Sequence, residues 1–374
     1  MEYRYYKRIT GAKRESLPTA VGIIYILTAL TAVFHAISVF SEGFSDFVNT
    51  KISVGVRFIL AHITNFVPFS IAETLLILLP VWAFLLICRA VKYYSDSWKR
   101  VLVYIGKLFA VVCVIYMIFF WGYGVGYGSP EIGEKLGLER ADVSAEELYD
   151  TAVFFADKVN GEAENVTFRK ENFSVMPYTI KEMNEKLDAS YKKFTETSNA
   201  VSKLSSNLKP VMLSEPMSYT HITGVYSFFT GEANINVVFP DYTIPYTAAH
   251  ELAHQRGIAR ENEANFIAFL VCAGSDDAYI RYSGYQNMLE YVLDALYRAD
   301  TELYKEAVKS IDMKVRYEMS AYSKFFDKYR NSTAGKVSGA VNDTYLKLNR
   351  TEGEKSYGMV VDFAVAYRKK EASK

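Results

Sequence analysis

TAAHELAHQRGIARENEANF, residues 247–266, is the stretch on which the reading of this chain turns. His250 and His254 are four positions apart, so on a helix they share one face and can offer two imidazoles to a single metal ion, with Glu251 beside them as a carboxylate. Zinc favours tetrahedral nitrogen, sulfur and carboxylate ligation, and a hydrolytic site keeps its fourth position for a water whose proton the ion loosens. Glu251 is placed to accept that proton and pass it to a leaving amine. A purely structural zinc would have no use for Glu251. Thr247, Ala248, Ala249, Leu252 and Ala253 form a small, apolar setting suited to a buried helix.

The third ligand has two candidates in sequence, Glu261 and Glu263. Two positions apart on a helix, they point in roughly opposite directions, so only one can face the metal. Gly257 is suited to the left-handed turn that stops the first helix. A second helix from about Arg260 places Glu263 with Ile267, Leu270 and Val271, and Glu261 with Ala264, Asn265 and Ala268; both patterns are acceptable. His-Glu-x-x-His, eight residues, then Glu resembles the short-spacer gluzincin metallopeptidases, and that resemblance implies Glu263 as the third ligand. The longer run HELAHQRGIARENEANF, with GEANIN upstream and KSYGMVVDF near the C-terminus, is similar to an uncharacterised family of bacterial membrane proteins with a domain of unknown function. The similarity covers nearly the whole chain and brings no known substrate.

Composition bounds the alternatives. Lys and Arg total 42 and Asp and Glu total 42, a net charge of zero, so nothing argues for nucleic acid as a partner. Half of the residues are hydrophobic, and they concentrate in the first third of the chain. Residues 20–40, 71–88 and 101–123 each read as a membrane-spanning helix, with Pro80 suggesting a kink in the second. Residues 52–69 are also apolar, but Arg57 and His62 in their middle would be costly in lipid. That segment reads as an interfacial or re-entrant helix. Arg4, Lys7, Arg8, Lys13 and Arg14 precede the first span and Arg89, Lys92, Lys99 and Arg100 fill the second loop, which orients the N-terminus to the cytoplasm and residues 124–374 to the outside of a bacterial cell membrane. Trp98 and Trp121 fall where aromatic anchors belong.

Residues 124–374 are long enough for a domain of their own. Ser144 and Glu147 form a capping box for a helix to about Asn160, and further helices are expected over 179–203, 282–300, 301–329 and 337–348. Residues 224–229 and 233–239, separated by Thr230, Gly231 and Glu232, suggest a hairpin. By analogy with zinc peptidases the second of its strands, at 233–237, is a candidate edge for a substrate cleft, with a packed hairpin that binds no ligand as the equal alternative. Residues 357–367 are too short to cross a membrane and read as core.

Stabilising an oxyanion requires a donor; the candidates are His221 and the tyrosines of the turn-like stretch 281–285, Tyr282 foremost. Asn262, Asn265 or Glu261 could hold a ligand imidazole by its other nitrogen. Cys88, Cys113 and Cys272 are too scattered for a disulfide framework or a thiolate zinc site. The expected fold is a three-helix membrane anchor, 1–123, carrying a mainly helical α+β zincin-like domain with a small hairpin or sheet. The expected function is a membrane-anchored zinc metallopeptidase acting on peptide or protein at the lipid surface. Alternatives are a zinc-binding sensor that signals through the three spans, or a scaffold; other membrane proteins are candidate partners.

Overall fold

A computed structural model describes residues 16–138, 141–169, 173–353 and 359–373. The five basic residues before the first span, and part of 357–367, lie outside the described residues. The chain opens with α1 (Thr19–Phe40), a short α2 (Glu42–Phe47), a π-helical turn (Val48–Ser53) and α3 (Val54–Asn65), followed by α4 (Ile71–Tyr94) and α5 (Trp98–Gly122). Helices α1, α4 and α5, of 22, 24 and 25 residues, are long and apolar enough to cross a membrane. At a rise of 1.5 Å per residue they extend about 33–38 Å against a hydrocarbon core of about 30 Å. Three such helices mark the chain as membrane-anchored. The second and third run past the apolar stretches read from sequence, because Arg89, Lys92, Lys99 and Arg100 continue the helices while carrying their charges toward water. Pro80 lies within an uninterrupted α4. Trp121 is more than an anchor, since its indole N–H donates to Thr31 Oγ1 of α1 at 3.1 Å.

The ambiguous segment 52–69 forms the end of the π-helical turn and α3, whose twelve residues span about 18 Å, short of a bilayer core. Arg57 meets no lipid: it is 1% exposed and donates to Asn49 Oδ1 at 2.9 Å, the Asn49 carbonyl at 2.9 Å and the Gly122 carbonyl at 3.1 Å. Its charge is met by oxygens inside the protein, while Phe58, Ile59 and Ile63 on the other side of α3, and Phe66 just past its end, are exposed.

Beyond α5 follow α6 (Ile132–Leu136), α7 (Ala145–Ala163), α8 (Ile180–Thr197), β1 (Lys209–Pro210), α9 (Ser214–Ser218), β2 (Gly224–Ser227), β3 (Glu232–Ile235), α10 (Thr243–Gln255), α11 (Glu261–Ala273), α12 (Ala278–Ala299), α13 (Thr301–Lys309), α14 (Met313–Asp327), α15 (Thr333–Leu348) and α16 (Val360–Ala372). Capping boxes at Ser144 with Glu147 and Thr179 with Glu182 start α7 and α8. The expected helix over 301–329 is two, divided after Lys309. The stretch 281–285 is no turn. It is helical because Asp277 caps the backbone N–H groups of Tyr279 and Ile280 and starts α12 upstream of it.

The sheet has the order β1-β3-β2, with β3 parallel to β1 and antiparallel to β2. The expected hairpin is β2 and β3, paired from Gly224 with Ile235 to Ser227 with Glu232. Its second strand, however, is the central strand of the sheet, paired on both sides; the edge strands are β1 and β2. Glu232 anchors β3 to the membrane helices, accepting from the N–H groups of Ile71 and Ala72 at 3.0 and 2.9 Å. Glu73 in turn accepts from Met212 and Leu213 at 2.9 and 2.7 Å. The main core is built by α7, α10, α11, α12 and α16, and α10 lies at its centre with Ala248, Ala249, Leu252 and Ala253 buried.

Candidate metal centre

Two helices and one five-residue turn assemble the site. Helix α10 ends at Gln255, Gly257 takes φ of 104°, and Arg260 is the extended residue before α11. A left-handed residue is cheap only for glycine, and it reverses the chain so that the first turn of α11 faces the last turn of α10. His250 Nε2 and His254 Nε2 come within 2.9 Å of each other. Glu261 Oε2 lies 3.1 Å from the first and 3.4 Å from the second. A tetrahedral zinc with bonds of about 2.0–2.1 Å holds its ligand atoms about 3.3 Å apart, so these three atoms stand close to three corners of such a tetrahedron. All three residues are largely buried, and two imidazoles with one carboxylate form a donor set that fits zinc.

The resemblance implied Glu263 as the third ligand; the structure brings Glu261 to the histidines instead. Glu263 is turned about 200° away around α11. There it accepts from Arg260 Nη1 at 2.9 Å and from the Ile132 N–H at 3.0 Å. Burial raises its pKa, partly offset by Arg260 and that N–H.

The second nitrogen of His254 is held by acceptors. Nδ1 is 2.7 Å from the Ile258 carbonyl and 3.1 Å from the hydroxyl of Tyr123, which itself donates to the Ala259 carbonyl at 3.1 Å. This network keeps a proton on Nδ1, so Nε2 is the nitrogen that an ion would take in exchange for the second proton. None of Asn262, Asn265 and Glu261 does this job. Nδ1 of His250 and the side-chain nitrogen of Asn265 are both buried without a hydrogen-bond partner, in the wall of one cleft.

Burial alone would lower the pKa of His254 and raise that of Glu261. Their mutual attraction reverses both shifts: His254 is raised to about 9, and the two imidazoles hold Glu261 well below the usual carboxylate range. Glu251 is raised, mainly by burial, against the pull of both histidines. It lies under β2, where a Cβ on Gly224 would stand 2.6 Å from its Oε1, so the strand can pass this close only as glycine.

The trio opens into a cleft of about 1160 Å³ bounded by β2, α12 and α15. His221 lines it, but its Nε2 is 2.8 Å from the Tyr329 carbonyl and its ring packs on Phe326. Tyr282 does not reach the cleft; it is fully buried, with its hydroxyl bonded to Glu318. The tyrosines that do line the cleft are Tyr123, Tyr246, Tyr291, Tyr322 and Tyr345, with Tyr226 on β2. Tyr291 and Tyr345 are raised in pKa by burial and by the charge of Glu261. No local pattern marks these two among 29 tyrosines; each is at the cleft because its helix crosses it.

Residues flanking the membrane helices hold the ligand-bearing turn. Asn49 Nδ2 donates to the Gly257 carbonyl at 2.9 Å, and Arg260 Nη2 donates to the carbonyls of Tyr127 and Ser129 at 3.0 and 2.7 Å. Tyr123, which supports His254, directly follows α5. No curated protein and no solved structure matches the chain. A family model described as "Protein of unknown function (DUF3810)" matches residues 49–365, from the asparagine that binds the Gly257 turn through the metal-centre helices to α16, and the chain belongs to that family.

Proposed function

We propose that this protein is a membrane-anchored zinc metallopeptidase of zincin-like build, with His250, His254 and Glu261 holding one zinc ion and Glu251 acting as general base and acid. The observation that carries the reading is the convergence of three donor atoms within 3.4 Å of one another beside a buried carboxylate. Bound there, zinc would polarise a substrate carbonyl and acidify a water. Glu251, one residue from a ligand and walled by β2, is placed to take a proton at the cleft floor and return it to the departing amine. The free edge of β2 offers main-chain groups to an extended peptide. Tyr291 and Tyr345 replace Tyr282 and His221 as the hydroxyl donors that could meet a developing oxyanion. The basic residues flanking the spans favour a cytoplasmic N-terminus and a domain outside the bacterial cell membrane.

The test uses purified full-length protein, with zinc content and hydrolysis of a mixed peptide library measured together. Wild type is expected to carry about one zinc and to cleave, and Glu251→Gln to keep the zinc and lose cleavage by roughly 10²-fold or more. A wild type without zinc, or a Glu251→Gln protein that cleaves as well as wild type, overturns the proposal.

A further inference from the structure

Helix α15 roofs the metal cleft, with Gly335, Ser338, Gly339, Asn342 and Tyr345 facing it. At its N-terminal end the backbone of Gly335 lies against His221, leaving no room for a Cβ, which would stand 2.5 Å from the ring. The other end rests on the membrane helices. Tyr345 OH lies 3.3 Å from Tyr127 OH, and its ring packs edge-on to Phe119 in the last turn of α5. Arg350, just past the helix and with φ of 65°, donates to the carbonyl of Val39 in the last turn of α1 at 3.3 Å. The C-terminal end of α15 is therefore level with the ends of two membrane-spanning helices.

Its outward side is apolar. Val337, Val341 and Leu348 are 59%, 64% and 79% exposed, and on a helix these positions fall within about 40° of one another. Thr333 and Thr344 continue this face and no carboxylate interrupts it. Lys336 and Ala340 stand exposed at the cleft rim beside it, Lys347, paired with Asp343 at 2.7 Å, borders it, and Arg350 lies exposed just past its end. An apolar stripe bordered by cations suits the boundary between acyl chains and anionic headgroups. The face is also continuous with a surface that must already meet lipid, the ends of α1 and α5.

We propose that α15 is a membrane contact beyond the three spans: its outer face lies in the headgroup layer where α1 and α5 end, so that lipid supports the roof of the cleft. This contact does not depend on the metal centre or on catalysis. It places the roof of the cleft against the lipid, where a substrate would itself be close to the membrane.

The test is fluorescence of full-length protein with Cys88→Ala, carrying an environment-sensitive label at Val341→Cys or Leu348→Cys. Tyr297→Cys on α12, 55% exposed, is the control. The proteins are reconstituted in phosphatidylcholine–phosphatidylglycerol vesicles with and without headgroup-proximal doxyl lipid. Labels at 341 and 348 should be blue-shifted and quenched at least twofold more than the label at 297. Quenching at 341 and 348 no greater than at 297, as expected if these residues face water or a protein partner, overturns the proposal. All substituted side chains are exposed, and matching elution of the variants and wild type checks the fold.

Discussion

Two cavities of nearly equal size flank the turn between α10 and α11, about 1160 Å³ on the side of Glu261 and about 1180 Å³ on the side of Glu263. In the first, a carboxylate meets two imidazoles whose free nitrogens converge on it. In the second, a carboxylate of the same helix is neutralised by Arg260 and an N–H donor, among Lys135, Lys203, Arg256 and Lys370. Volume does not distinguish these regions. The difference lies in the partner each glutamate finds, a pair of lone-pair donors in one case and a fixed cation in the other. On the proposed reading a metal ion would complete the first arrangement, whereas the second is already complete.

The largest effect should separate the two glutamates. Glu261→Gln is expected to weaken zinc binding at least 100-fold, as removing a charged ligand from a three-ligand site requires. Glu263→Gln should keep its zinc and instead lose about 1–3 kcal/mol of stability by leaving Arg260 poorly matched. Calorimetric zinc titration and thermal unfolding of both variants check this, and a reversed pattern would break the comparison. Next, Gly224→Ala should leave zinc bound but reduce peptide hydrolysis by about 100-fold, since it displaces the Glu251 carboxylate by an ångström or more. Tyr123→Phe should weaken zinc about 10-fold, the low end for a supporting hydrogen bond because the Ile258 carbonyl remains; competition with a chelator measures it.

A last effect concerns pH and stability instead of zinc binding. Burial raises Glu290, in the wall of the metal cleft, to about 7, against hydrogen bonds from Tyr242 and Gln286. A carboxyl with a raised folded-state pKa binds more protons folded than unfolded, so its contribution is full below its unfolded pKa of about 4.3 and is lost as pH rises through about 7. Stability should fall by about 3–4 kcal/mol across that window. In Glu290→Gln this decline should flatten, as followed by denaturant unfolding at stepped pH.

Much of this architecture was legible because it rests on strong local signals. Long apolar runs gave the three spans, Ser144 with Glu147 gave a helix start, and His250 with His254 gave a shared face. The cost of Arg57 in lipid was also legible, although its solution, a ring of carbonyls from Asn49 and Gly122, was not. The choice of glutamate failed for a geometric reason. Each helical residue turns the side chain by about 100°, so deciding between Glu261 and Glu263 needs the start of α11 and its angle to α10 together. The sequence located that start near Arg260, but the angle comes from the turn at Gly257 and its grip by Asn49 and Tyr123. These contacts link residues 208 and 131 positions apart. The cleft edge was assigned to the wrong strand because β1 is only Lys209 and Pro210, too short to leave a pattern, yet it covers the side of β3 that would otherwise be free. The neighbours of Tyr282 and His221 in sequence carry no sign that one is buried against Glu318 and the other is tied to the Tyr329 carbonyl, whereas Tyr291 and Tyr345 reach the cleft through the packing of α12 and α15.

The most direct measurement of the central claim is anomalous diffraction at the zinc edge from crystals of the full-length protein. The account predicts a single strong peak about 2.0–2.1 Å from His250 Nε2, His254 Nε2 and a carboxylate oxygen of Glu261. A peak beside Glu263, or none at the two histidines in zinc-supplemented crystals, would contradict it.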